Sequence, residues 1–251
     1  MKYVLLACLF ATGVVLASDP LPPAPRKKGI GLAESKGMGL RELSKLNVDW
    51  YYNWGARSDL PIGSKFVPMA FSPQRVADLP AYSRYVLGFN EPDNDKQAHV
   101  KPEVAFQAWT ALTGKADVVG SPALAKNPLS AGNWLSAFLG LGARVDFIAV
   151  HWYKGIEARK LIADVQAICT AYGKPVWLTE FAPQTAAQAR TEPQKYSQAQ
   201  VDQFIQESTA WMANSDCVQR YAWHDAKTGT SALFENGRLT ATGQTYAAVT
   251  P

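Results

Sequence analysis

With 251 residues, 47% of them hydrophobic and 18% charged, the chain can build one large α/β domain or two small ones, and its composition excludes intrinsic disorder. The formal net charge is only +4 and no basic run exceeds Arg26-Lys27-Lys28, which argues against nucleic acid and for a neutral or weakly charged partner. Eight Trp and ten Tyr form a heavy aromatic load, available for packing or for stacking on sugars.

Residues 1–17 (MKYVLLACLFATGVVLA) place one Lys before an apolar stretch that closes on Val15-Leu16-Ala17, a small-residue cleavage pattern. They read as a secretory leader cut near Ala17, so that the mature protein is secreted or periplasmic. An uncleaved anchor is the alternative; a lipoprotein box at Leu5-Leu6-Ala7-Cys8 would leave almost no apolar region before its Cys. Residues 18–28 carry four prolines and read as a linker, and residues 29–251 as one domain. No later segment is long enough to cross a bilayer.

Strand-like runs then follow at 29–33, 48–54, 65–71, 85–90, 118–122, 145–153, 176–181 and 218–223. Helical spacing is clearest at 102–114, 131–142, 158–172 and 198–214, where apolar residues recur every three to four positions. The Pro-containing stretch 72–84 is the weakest helical connection, and a short last helix is expected over 243–249. Regular alternation of strand and helix favours parallel strands joined by right-handed crossovers. Eight such units in one domain predict an α/β fold, a single (β/α)8 barrel of the TIM type. An open doubly wound sheet would want a phosphate-binding loop after its first strand, and Gly37 and Gly39 lack the register for one, so they read as turn glycines. Cys169 and Cys217 each fall shortly before a predicted strand, at the barrel end away from a site; export makes a disulfide between them permissible.

Two runs carry chemistry. Residues 85–93 (YVLGFNEPD) and 175–182 (PVWLTEFA) are apolar strands that end abruptly in Glu91 and Glu180. Acids at strand carboxyl ends face the loops where α/β barrels build their sites. A single Glu there is more often a helix cap or surface ion pair. Two flanked by aromatics are the minimum equipment for hydrolysing a glycosidic bond. On the sixth strand, His151 and Tyr153 share a face, with Trp152 opposite; Tyr153 could donate to Glu180 and keep it ionised. Aromatics also end the second strand (Tyr51-Tyr52-Asn53-Trp54) and the eighth (Trp223-His224). Glu34 and Asp93 read as caps or loop ligands. With three His in all and neither an H-E-x-x-H nor a G-x-S-x-G motif, no metal, cofactor or serine triad is expected.

The ordered set G-F-N-E-P-D (88–93), H-W-Y (151–153), W-L-T-E-F-A (177–182) and R-Y-A-W (220–223), with Y-Y-N-W (51–54), F-V-P-M (66–69) and L-T-x-x-G-x-x-Y (239–246), resembles glycoside hydrolase family 128, the glycosyl hydrolase catalytic core proteins. The resemblance implies a retaining endo-β-1,3-glucanase on a (β/α)8 barrel acting on β-glucan oligo- or polysaccharide; a monomer is expected. It implies Glu91 as acid/base and Glu180 as nucleophile. Asn90 would bind the sugar 2-hydroxyl, and His151 and Tyr153 would support the carboxylates. Trp152, Asn53 and Trp54 would line the cleft, and Trp223 would floor the subsite at the cut bond. His224 and the Gly-Leu-Ala-Glu after the first strand depart from the family pattern. A β-1,4-glucanase or mannanase of the same clan, and a glucan-binding barrel without catalysis, are the alternatives.

Overall fold

A computed structural model describes residues 26–183, 196–224 and 231–250. The proposed leader and most of the linker lie outside the described residues. The strands β1 (Lys28–Gly31), β2 (Trp50–Tyr52), β5 (Ile148–Trp152), β6 (Val176–Phe181) and β7 (Val218–His224) form a parallel sheet in the order β2-β1-β7-β6-β5. β3 (Ser83–Val86) and β4 (Ala116–Val119) form a second parallel pair. Single parallel bridges join what lies between: Tyr51 to Phe66, Met69 to Leu87, Gly120 to Phe147, and Leu124 to Val150. The eight segments thus follow one another around a (β/α)8 barrel.

Three sequence expectations need adjustment. Segment 65–71 makes bridges rather than a ladder, because Pro68 has no N–H to donate within it. Stretch 72–84 holds a 3-10 helix, Pro73–Asp78, in place of an α-helix. The linker boundary at 28 is one residue late, since Lys28 already pairs with Tyr221 in β1. Gly37 and Gly39 are turn residues as read, ending one short helix and starting α1 (Leu40–Leu46). An antiparallel hairpin, β8 (Phe234–Glu235) with β9 (Arg238–Leu239), precedes α6 (Ala241–Ala248).

Of the helices α2 (Pro102–Thr113), α3 (Trp134–Gly140), α4 (Ala158–Tyr172) and α5 (Gln198–Asn214), all but α4 begin at a start signal in the sequence. Asn133 accepts the Ser136 N–H, Ser197 and Gln200 form a reciprocal capping box, and Pro102 opens α2. Their apolar faces cover the outside of the strands. Leu112, Leu161 and Phe204 bury against outward-facing Ile148, Leu178 and Tyr221.

The inside of the ring is a second core made only of strand and strand-end residues, among them Trp50, Tyr52, Met69, Phe147, Trp177 and Ala222. Strand periodicity of two sorts alternate residues between these layers: Ala149 faces in, Val150 out. Phe147 stacks on Trp177 at 4.0 Å, and the Arg220 guanidinium lies 4.5 Å over the other part of this layer, the Trp177 ring. Rings this large fit because the facing positions are glycine: a Cβ on Gly29 or Gly120 would come within 2.4 Å of Trp50 or Phe147. The lower barrel is therefore solid, and the polar residues above it stand on an aromatic floor. Among the described residues no helix is long and apolar enough to cross a membrane.

Candidate active site

Glu180 does not point inward by simple alternation. Trp177 faces the lumen and Leu178 faces the helices, so a regular strand would turn Glu180 outward. The register against β5 shifts there: Leu178 pairs with Val150, yet Glu180 pairs with His151, which leaves Thr179 as the extra residue. A bulge of this kind re-aims the side chains beyond it. Glu180 enters the lumen beside His151, and Phe181 returns to the outer core.

Four donors or cations surround the Glu180 carboxylate. Its Oε1 accepts from the Trp54 indole N–H at 2.7 Å and the Tyr52 hydroxyl at 3.1 Å, its Oε2 accepts from the Tyr153 hydroxyl, and His151 Nε2 lies 3.4 Å from Oε1. Burial alone would raise its pKa; the nearby His151 and His224 charges and the Tyr153 and Trp54 hydrogen bonds outweigh that and hold it below the usual 4.5. In turn burial, then the Glu180 charge, lifts both tyrosines well above 10, so they remain donors.

Glu91 arrives from the bridge region after β3, where Asn90 pairs with Ala123. Its backbone is left-handed (φ 42°), a conformation that costs a non-glycine residue of order 1 kcal/mol and that clusters at functional sites. Oε1 of Glu91 is 2.9 Å from His151 Nδ1, and Oε2 accepts from Asn94 Nδ2 at 2.8 Å. His151, with a side chain only 2% exposed, therefore stands between the two acids. Burial pushes its pKa down, but the charges of Glu180 and Glu91 raise it above 6.5 overall. One ligating atom each from Glu91, His151 and Glu180 lies within 4.8 Å of the others. That spacing could also admit a cation, although Glu180 already accepts three hydrogen bonds.

The remaining expected residues divide. Asn90 is buried at the site, its Nδ2 donates to Gln97 at 3.2 Å, and its Oδ1 has no protein partner, leaving an acceptor for a hydroxyl. Trp54 is at the site as the donor to Glu180. Asn53 stands at the rim with its amide engaged by Glu34, Gly55 and Arg57. Trp152 is corrected: it faces the helices, stacks 5.8 Å from Phe204 and donates to Asp164 at 2.9 Å. Trp223 is corrected too: it is fully buried against Phe181 and Tyr246 and donates to the Ser231 carbonyl. Both corrections follow from strand alternation, which turns the next residue, His224, into the cleft, 5.7 Å from the Trp54 ring. Sequence reasoning placed Tyr52 only among the aromatics that end the second strand and gave Asn94 no role; Tyr52 lies two before Trp54, so alternation puts both toward Glu180. Asp93 caps a loop by accepting from the Ala125 and Lys126 N–H groups.

Two cavities border neighbours of the acids: Trp54, which donates to Glu180, and Asp93, two residues after Glu91. One of about 430 Å³ opens between Trp54, Arg57, Phe71 and Arg75, and another of about 450 Å³ between Asp93, Lys126, Asn127 and Trp134.

The fold is similar to that of solved structures. An endo-β-1,3-glucanase of Amycolatopsis mediterranei, solved with laminaripentaose, is 29% identical with TM-score 0.75, the match covering 89% of this chain and 99% of that one. An oligosaccharide-binding protein of the same family from Trichoderma gamsii is 25% identical with TM-score 0.73, over 92% and 96% of the two chains. The alkali-sensitive linkage protein 1 of Schizosaccharomyces pombe is 27% identical over 243 residues; the match takes in 88% of this chain and 44% of that protein's length. A family model described as the glycosyl hydrolase catalytic core matches residues 29–246, and the chain belongs to that family.

Proposed function

We propose that the chain hydrolyses β-1,3-glucan with retention of configuration, Glu180 serving as nucleophile and Glu91 as acid/base. The observation that carries this reading is the approach of the two carboxylates: oxygens within 4.8 Å match the roughly 5 Å of retaining enzymes and leave no room for the water that inversion needs between them. The cavities at Trp54 and at Asp93 suit a chain of sugars rather than a monosaccharide. One copy supplies both acids, so a monomer suffices.

In the first step Glu180 Oε attacks the anomeric carbon while the proton held between Glu91 and His151 Nδ1 passes to the glycosidic oxygen, which leaves as a hydroxyl. Ionised Glu91 then takes a proton from water, whose oxygen displaces Glu180 and restores both groups. The trio of donors on Glu180 keeps it anionic before attack. Asn90 Oδ1 is placed to accept from a sugar hydroxyl.

Laminarin digestion followed by NMR of the newly formed anomer tests this. The β-anomer is expected first, and Glu180→Gln or Glu91→Gln should each lower kcat by about 10³-fold or more while substrate still binds. Release of the α-anomer, or normal turnover by Glu180→Gln, would overturn the assignment. Tight laminarin binding with no new reducing ends in the wild type would favour a binding protein, like the oligosaccharide-binding Trichoderma relative.

The same reading places the protein outside the reducing cytoplasm. Residues 1–17 act as an export leader, and the Cys169–Cys217 disulfide, with Cα atoms 6.0 Å apart, suits an oxidising compartment. N-terminal sequencing of the exported form should begin near Ser18.

A further inference from the structure

Trp54 donates to the nucleophile from a backbone that a large side chain rarely adopts, φ 61°. A dense polar clamp surrounds that turn. Asn53 Oδ1 accepts the Gly55 N–H at 2.9 Å, so the amide spans the strained residue from one side to the other. Asn53 Nδ2 donates both to the Arg57 carbonyl at 2.8 Å and to Glu34 Oε1 at 3.0 Å. Glu34 Oε1 also accepts from Ser58 at 2.7 Å, and Ser58 is 2.9 Å from the Tyr51 hydroxyl. On the barrel side, the Gly55 carbonyl accepts the Met69 N–H at 2.9 Å. Both Asn53 amide hydrogens are therefore engaged within the turn and by Glu34.

We infer that Asn53, locked by Glu34, is a positioning residue for the nucleophile: it fixes the turn that aims the Trp54 indole N–H at Glu180. The inference deepens the hydrolase reading and rests on it for its kinetic consequences only. Without the clamp, Trp54 would relax toward an ordinary backbone and its indole would swing off Oε1. Glu180 would keep Tyr52, Tyr153, His151 and His224 around it, with Glu91 as the opposing negative charge, so it would be weakened rather than disabled. Lys36, near Glu34 in sequence, acts on the same cluster through His224.

The test pairs spectroscopy with kinetics. In the free wild-type protein, the Trp54 indole ¹⁵N–¹H resonance, assigned with Trp54→Phe, should lie downfield and follow the ionisation of Glu180. Asn53→Ala should return it toward a free indole position and uncouple it from pH. On laminarin, Asn53→Ala should move the acid limb of kcat/KM up by about half to one pH unit and lower kcat about 10-fold, with KM within about 2-fold. Because both changes act through one hydrogen bond, Asn53→Ala combined with Trp54→Phe should match Trp54→Phe alone. An unchanged resonance and acid limb in Asn53→Ala, or additive effects in the double variant, would overturn the inference. A wild type inactive on laminarin would defeat the proposed function, while the resonance would still decide whether Asn53 aims Trp54.

Discussion

His151 stands between Glu91 and Glu180, and its charge matters to stability. Its pKa stands above 6.5 in the folded protein because Glu180 and Glu91 outweigh the cost of burial, so its stabilising contribution is complete below 6.5 and is lost as pH rises through the elevated value. Glu180 is the reverse case. Held below 4.5, it contributes fully above 4.5 and loses that contribution as pH falls through its lowered value. Both contributions are present together between pH 4.5 and 6.5, where the thermal midpoint should peak. His151→Asn should remove the decline on the alkaline side and shift the acid limb of kcat/KM upward, as Glu180 loses its nearest positive neighbour; a pH series of melting curves and rates on both proteins checks this. At this scale Glu91, Glu180, His151 and Tyr153 could be read from residue type and strand position. Trp223 could not be separated from His224, because a one-residue uncertainty in strand phase exchanges lumen for outer core.

Among the elements, β6 shows how local irregularity serves the site. Its sequence, V-W-L-T-E-F, is apolar enough to announce a buried strand, but the bulge at Thr179 depends on pairing with β5 and β7. The β8–β9 hairpin carries its own local signal: Asn236-Gly237 is a strong two-residue turn sequence, and both residues have positive φ, 50° and 72°. The disulfide ties α4 to the start of β7 at the barrel end away from the acids, closing a separation of 48 residues. A loop of that size corresponds to about 4 kcal/mol in the chain-entropy account. Cys169→Ser with Cys217→Ser should therefore lower the thermal midpoint by on the order of 10 °C while kcat on laminarin stays within about 2-fold. Calorimetry and initial rates on one preparation would show whether stability and activity separate in this way.

Across the whole molecule, the basic run that begins the described chain is structural. Lys27 Nζ donates to the Met212 and Ser215 carbonyls at the end of α5, and Lys28 Nζ to those of Ala247 and Val249 at the end of α6. Cations at helix C-termini meet carbonyls that have no partner within the helix. Lys28 also lies 4.9 Å over the Tyr246 ring, whose hydroxyl donates to the Gly29 carbonyl, so one cluster fastens the last helix to the first strand. Burial pulls the Lys28 pKa down to about 8, against the opposing pull of Asp49. Between pH 8 and 10.5 the unfolded chain holds this proton more tightly, so the Lys28 contribution to stability rises across that interval. Lys28→Met should abolish the rise and speed amide exchange in the last turn of α6, measurable by pH-dependent melting and hydrogen exchange.

The amino-acid sequence by itself determined the alternation of strand and helix, the parallel barrel that follows from it, and the two acids at strand ends, because these depend on periodicity and on abrupt changes of polarity along short segments. Tertiary structure alone decided which aromatic faces the cleft, how Glu180 turns inward, and that the Asn53 amide spans the turn at Trp54. Those outcomes depend on register between strands far apart in the chain, and a shift of one residue reverses every face.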